Sequence, residues 1–164
     1  MSELNDLAEL VARRLIERRE SVAVGESAAG GLIAAALLGV AGASAYFKGG
    51  IVVYTSVGKV LLAGMTLEQI AKDRAATEPH TAILASLIRE KLAATWGVAE
   101  TGAAGPTGNR YGDAAGHAAL AVSGPVELTR VIETGQADRR ANMEAFAVAA
   151  LRLLSDALET KARP

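Results

Sequence analysis

A serine and a lysine, Ser27 and Lys59, occupy equivalent places in this 164-residue chain, each following a short apolar run. The first run, Val22-Ala23-Val24, leaves through Gly25-Glu26-Ser27 into Ala28, Ala29, Gly30 and Gly31. The second, Ile51-Val52-Val53-Tyr54, ends ahead of Lys59. In an α/β sheet the carboxyl ends of strands open into one crevice, where these two side chains can meet although 32 positions separate them. A hydroxyl and an amine so placed are the minimal equipment for nucleophilic attack, with the amine as base. Desolvation at a strand end lowers a lysine's pKa and makes the neutral amine available. Tyr54 stands where it can orient that amine or relay a proton. The same residues have plainer readings: Ser27 as a helix N-cap, Tyr54 as strand packing, Lys59 as a solvated cation.

Backbone N–H groups at Ala28, Gly30 and Gly31 form a candidate anion or oxyanion site at a helix start. A second glycine-rich segment, TGAAGPTGNRYGDAAG, has the flexibility to wrap a phosphate or ribose, with Thr101 offering a hydroxyl. Its spacing matches neither a G-x-x-x-x-G-K-[ST] phosphate loop nor a dinucleotide G-x-G-x-x-G turn. Arg110 and Arg139 are the cations best placed to meet an anionic substrate. Glu26 can hold loop amides or pair with a cation, and His80 and His117 read as structural.

The elements that must position these groups follow from periodicity. Residues 3 to 19 form an amphipathic surface helix carrying Leu4, Leu7, Ala8, Val11 and Leu15. Val60 to Gly64 reads as a helical turn stopped by glycine, and Thr66 opens a short capped helix. Thr77-Glu78-Pro79 supplies a cap-like threonine and a first-turn proline for a long helix through Leu92. A strand at Val98 to Thr101 precedes the glycine loop, and a hairpin joins His117 to Val122 with Val126 to Ile132. A last helix runs from Asp138, and the tail from Lys161 to Pro164 is expected to fray. The order α-β-α-β-α-α-β-β-β-α predicts one domain over residues 1–164, a three-layer α/β/α sandwich whose sheet is parallel at first and mixed towards the end.

Composition narrows the function. Half the chain is hydrophobic but largely as alanine, which suits close packing of helices on a sheet. A net charge of −1 without a basic run argues against nucleic acid as partner. The absence of cysteine excludes thiolate chemistry and disulfides, and two histidines in dissimilar settings argue against a metal site. The charged start and the short apolar segment at Leu32 to Val40 suggest neither a secretory signal nor a membrane span, so a cytoplasmic protein is expected.

Taken together, the motifs resemble the family of the CinA carboxy-terminal domain, whose stand-alone bacterial members are nicotinamide mononucleotide deamidases. The family's E-S-C-T-G-G is similar to Glu26-Ser27-Ala28-Ala29-Gly30-Gly31, and its G-S-S-x-x-F to Gly42-Ala43-Ser44-Ala45-Tyr46-Phe47. Its Y-S-N-x-x-K resembles Tyr54-Thr55-Ser56-Val57-Gly58-Lys59, and its S-E-P resembles Thr77-Glu78-Pro79. T-G-x-A-G-P is intact as Thr101-Gly102-Ala103-Ala104-Gly105-Pro106, and Asp138-Arg139 matches the opening of the last helix. The resemblance implies a mixed, mostly parallel five-stranded sheet and hydrolysis of a nicotinamide carboxamide to nicotinic acid mononucleotide and ammonia. It further implies Ser27 as nucleophile, Lys59 as base, Tyr54 beside them, and substrate contacts from Ala28, Gly30, Gly31, Ser56, Thr101, Gly102, Gly105 and Arg139. No cofactor is implied, the partner is a small pyridine mononucleotide or related amide, and self-association into a homo-oligomer is expected.

The chain departs from that pattern. Cys and Thr after the serine are alanines, Ser56 stands where the family has an amide, and Asp113-Ala114-Ala115-Gly116 replaces K-P-V-G, so weaker phosphate-facing charge is expected. A nucleotide-binding homologue without turnover and a purely structural assembly partner are the rival readings.

Overall fold

A computed structural model describes residues 2–162, with side chains to residue 160. Five strands lie in the order β2-β1-β3-β4-β5: β1 Val22–Glu26, β2 Phe47–Val52, β3 Trp96–Ala103, β4 His117–Ser123 and β5 Leu128–Glu133. β1 pairs in parallel with β2 and β3, while β3–β4 and β4–β5 are antiparallel. Four strands therefore share one direction and β4 alone opposes them, so the adjacent pairs divide evenly between the two kinds.

One face of the sheet carries α1 Glu3–Arg18, α2 Leu32–Leu38 and α6 Arg139–Ala162 over a core that includes Leu15, Ile33, Trp96, Leu120, Phe146 and Leu151. The other face carries α5 Glu78–Lys91 over a smaller cluster of Val53, Ala63, Met65, Leu84, Ala99 and Ala121. Period-two alternation decides the partition along β3: Trp96 and Val98 face α6, and Ala99 faces α5. Two short helices, α3 Ser56–Gly58 and α4 Leu67–Lys72, flank a π-helical turn, Lys59–Ala63.

Local chemistry explains the ends of these elements. Ser2 caps α1 through the Asn5 amide, Thr66 and Gln69 make a reciprocal capping box on α4, and Asp138 accepts from the Ala141 amide at the head of α6. Thr77 is at the N-cap position of α5 as expected, but its hydroxyl donates to the Arg74 carbonyl instead of capping. Of the tail expected to fray, residues 161–162 continue α6 and 163–164 lie outside the described residues.

Strand bounds differ from expectation, β5 beginning at Leu128 instead of Val126, and the differences at β2 and β3 bear on the site. β2 begins at Phe47 and ends at Val52, not at Tyr54, because Gly49 and Gly50 are strand residues here. A Cβ on Gly50 would come within 3.2 Å of the Val24 carbonyl, so the missing side chain lets β2 lie close to β1. β3 runs on to Ala103, placing Thr101 inside the strand.

Candidate active site

The carboxyl ends of β1, β2 and β3 lie side by side, and from them come the Ser27 turn, the segment from Tyr54 to Lys59, and the glycine loop. Ser27 is buried and is not a helix cap. α2 starts five residues later at Leu32, with Gly31 at its N-cap position. Gly30 and Gly31 both adopt positive φ, +67° and +103°, and this left-handed pair separates the serine from the helix.

The amides of this turn have internal partners. Glu26 accepts from Gly31 at 3.1 Å, Ile33 at 2.9 Å and Ala34 at 2.8 Å, closing the head of α2 with a carboxylate. Glu100 Oε2 accepts from Ser27 N at 3.1 Å and Ala29 N at 2.8 Å. The amides of Gly30 and Leu32 donate to the carbonyls of Ser27 and Ala29. Of the amides expected to form an anion site, Gly31 is thus taken by Glu26 and Gly30 by the Ser27 carbonyl. Ala28 is buried beside them.

Glu100 escaped the sequence reading. It lies in β3, 0 % exposed, with Oε1 bonded to nothing. Burial, the largest influence, pushes its carboxyl up to about 7 against the pull of the turn amides. A carboxylate within the apolar strand Val98-Ala99-Glu100 is the signal that could have found it. Glu26 is also raised, burial outweighing its three amide bonds.

Lys59 is 4 % exposed and opens the π-helical turn, a distortion frequent at functional sites. Desolvation lowers its pKa, the Glu100 charge opposes that shift and Arg110 adds to it. Ser27 and Lys59 form no direct hydrogen bond; they are linked through Glu100, which holds the serine's amide and acts electrostatically on the lysine.

Lys59 also lines a cavity of about 460 Å³ with Tyr54, Thr55, Ser56, Ile70, Ala75, Asn109, Arg110 and Tyr111. That volume lies within the usual range for small-molecule sites. Ser27 is not part of this lining. Tyr54 is 63 % exposed and past the end of β2, which sets aside the reading of it as strand packing. Arg139 donates to the Gly105 carbonyl and to Tyr54 Oη at 3.4 Å, so these three expected residues come together on the rim. Arg110 donates to Tyr111 Oη, and the guanidinium carbons of Arg74 and Arg110 lie 4.9 and 5.0 Å from the Tyr111 ring centroid.

Other expected contacts are structural. Thr101 Oγ1 is buried, accepts from the Ala76 amide at 3.0 Å and bonds Thr81 Oγ1 at 2.8 Å, so its hydroxyl ties β3 to α5 instead of facing the crevice. Gly102 and Gly105 are packing positions: an added Cβ would meet the carbonyl of His117 at 2.7 Å or of Ala137 at 2.9 Å. Asp113 makes a two-pronged pair with Arg74, at 2.8 and 3.2 Å, and accepts from Asn109. The acid expected to weaken the crevice's positive charge is therefore paired with Arg74 from the connection between α4 and α5. His80 bonds the Asp73 carbonyl, and His117 bridges Glu133 and the Ala76 carbonyl. No helix among the described residues is long and apolar enough to cross a membrane.

Comparison with known proteins agrees with this architecture. A CinA-like protein of Anaeromyxobacter sp. (strain K) is 40 % identical over 154 residues, which is 94 % of this chain and 38 % of that protein. One from Acidobacterium capsulatum is 42 % identical over 123 residues, 75 % of this chain and 30 % of its own length. The chain thus spans well under half the length of these curated relatives. Among solved structures, the competence damage-inducible protein A (ComA) of Klebsiella pneumoniae superposes with a TM-score of 0.91 at 28 % identity, covering 96 % of this chain and 98 % of its own. The competence/damage inducible protein CihA of Agrobacterium tumefaciens gives 0.90 at 28 % identity, with 97 % of each chain covered. With residues 4–158 matched by the family's profile, this chain belongs to the CinA C-terminal domain family.

Proposed function

We propose that this protein is an amidohydrolase acting on the carboxamide of a pyridine mononucleotide, nicotinamide mononucleotide being the first candidate, through Ser27 and Lys59. The observation that carries the reading is Lys59 itself: a buried amine with a lowered pKa, on the wall of a mononucleotide-sized cavity and electrostatically linked to the acid that holds the Ser27 turn. In this reading Ser27 Oγ attacks the carboxamide carbon and Lys59 takes its proton. The proton returns to the departing nitrogen, ammonia leaves, and water hydrolyses the acyl-serine. Because the amides of Ser27, Ala29, Gly30 and Gly31 are already bonded, developing negative charge is met in this reading by cavity side chains, chiefly Ser56, Tyr54 and Arg110.

An ammonia-release assay on nicotinamide mononucleotide and related amides tests this. Ser27→Ala and Lys59→Ala should each reduce turnover by about 100-fold or more, with circular dichroism unaltered. Full activity in either folded variant would refute the mechanism.

A second reading is a nucleotide-binding module without turnover, favoured by the missing Ser27–Lys59 hydrogen bond. Thermal stabilisation by the nucleotide with no ammonia released would support it.

A further inference from the structure

Three observations single out Glu100. It is completely buried, its Oε2 accepts from Ser27 N and Ala29 N, and its Oε1 has no hydrogen-bond partner. An unpartnered carboxyl oxygen in an apolar interior is costly, so a fold that needed only a brace for the turn would be served as well by a neutral acceptor. We infer that Glu100 is the positioning residue of this site, bracing the Ser27–Ala29 turn with one oxygen while its buried charge acts on the Lys59 amine. This inference rests on the Ser27/Lys59 reading, and it adds to that reading a function for Glu100 in controlling the lysine's proton.

The electrostatic surroundings are specific. Lys59 is acted on by Glu100 and Arg110, with opposite signs. Glu100 is acted on by Glu26, which favours its neutral form. His80, on α5, is acted on by Lys59 and Asp73. An ionised Glu100 therefore holds the proton on Lys59, and a neutral one releases that hold. Glu100 in this way sets the pH above which the amine can serve as a base.

The test follows Lys59 by NMR with [ε-13C]lysine, its resonance assigned with Lys59→Arg. In the unmodified protein the Lys59 signal should show an extra inflection near pH 7, where Glu100 ionises. Glu100→Gln should remove that inflection and lower the Lys59 midpoint by about one pH unit or more. The Gln variant keeps an acceptor for the turn, whereas Glu100→Ala does not. Amide hydrogen exchange at Ser27 and Ala29 should thus accelerate in the Ala variant alone.

No inflection in the unmodified protein, or an unmoved midpoint in Glu100→Gln, would overturn the inference. The first measurement needs no variant, so poor folding of a substituted chain does not protect the idea. If ammonia release is found, the acid limb of kcat/KM should move to lower pH in Glu100→Gln. A shifted Lys59 titration without any ammonia release would leave the Glu100–Lys59 link standing and remove the hydrolase reading.

Discussion

The two sides of the crevice are built on opposite plans. At the ends of β1 and β3, the amides of residues 27, 29, 31, 33 and 34 are held by two buried carboxylates, and Glu100 Oε1 is a buried oxygen without a hydrogen-bond partner. At the end of β2, Tyr54, Ser56 and Lys59 share an open cavity wall with Asn109, Arg110 and Tyr111 from the glycine loop. The difference teaches a division of labour. A turn whose hydrogen bonds close on themselves can fix a side chain to within fractions of an ångström, but it has few donors left for a ligand. A wall of long, partly exposed side chains can recognise a ligand, at the cost of ordering them.

Breaking the closed side should give the largest effect. Glu26→Ala leaves three helix-head amides without their acceptor and is expected to lower stability by about 2–3 kcal/mol in urea unfolding, with Glu26→Gln losing less. A loss below about 0.5 kcal/mol would mean that water replaces the carboxylate without cost. Thr101→Val removes a buried hydroxyl with two partners, and about 1–2 kcal/mol should go with it, while KM for any amide substrate stays unaltered. A raised KM would return Thr101 to the ligand site.

On the open side, Arg110→Ala should leave the melting temperature in place and weaken affinity for an anionic mononucleotide by about 10-fold, a difference that shrinks at high salt. Equal binding by calorimetry in both proteins would remove Arg110 from the recognition wall. The smallest effect is expected at Asp113. Its pKa is held below the usual 3.8, first of all by the Arg74 hydrogen bonds. The resulting stability is present above that value and lost as pH falls through the lower folded one. Asp113→Asn should therefore cost about 1 kcal/mol or less at neutral pH and flatten acid unfolding below about pH 4. An unaltered acid limb would count against the pairing.

Most of the architecture could be read from the chain because its long elements have strong periodicity: α1, α5 and α6 each carry an apolar stripe, and β1 is a short apolar run bounded by charge and glycine. β2 was misplaced because Gly49 and Gly50 resemble a turn in sequence, whereas the close approach of β2 to β1 requires Gly50. The cavity residues Tyr54, Ser56, Lys59 and Arg110 could be found because side-chain type announces their chemistry. Glu26 holds turn amides, one of the two roles its place beside Ser27 suggested, but the partners of Glu100 could not be found, since backbone amides leave no trace in composition. They lie, moreover, 73 and 71 positions away.

The wide turn that starts at Lys59 has a geometric consequence. Such a turn holds one residue more than an α-helical one and closes at Gly64 in the left-handed region, so a single-residue deletion between 60 and 63 would tighten it and shift the backbone that carries Lys59. The amine's bearing relative to the sheet is thus set by the number of residues in one loop of backbone. An insertion or deletion there would re-aim the lysine without altering any residue at the crevice.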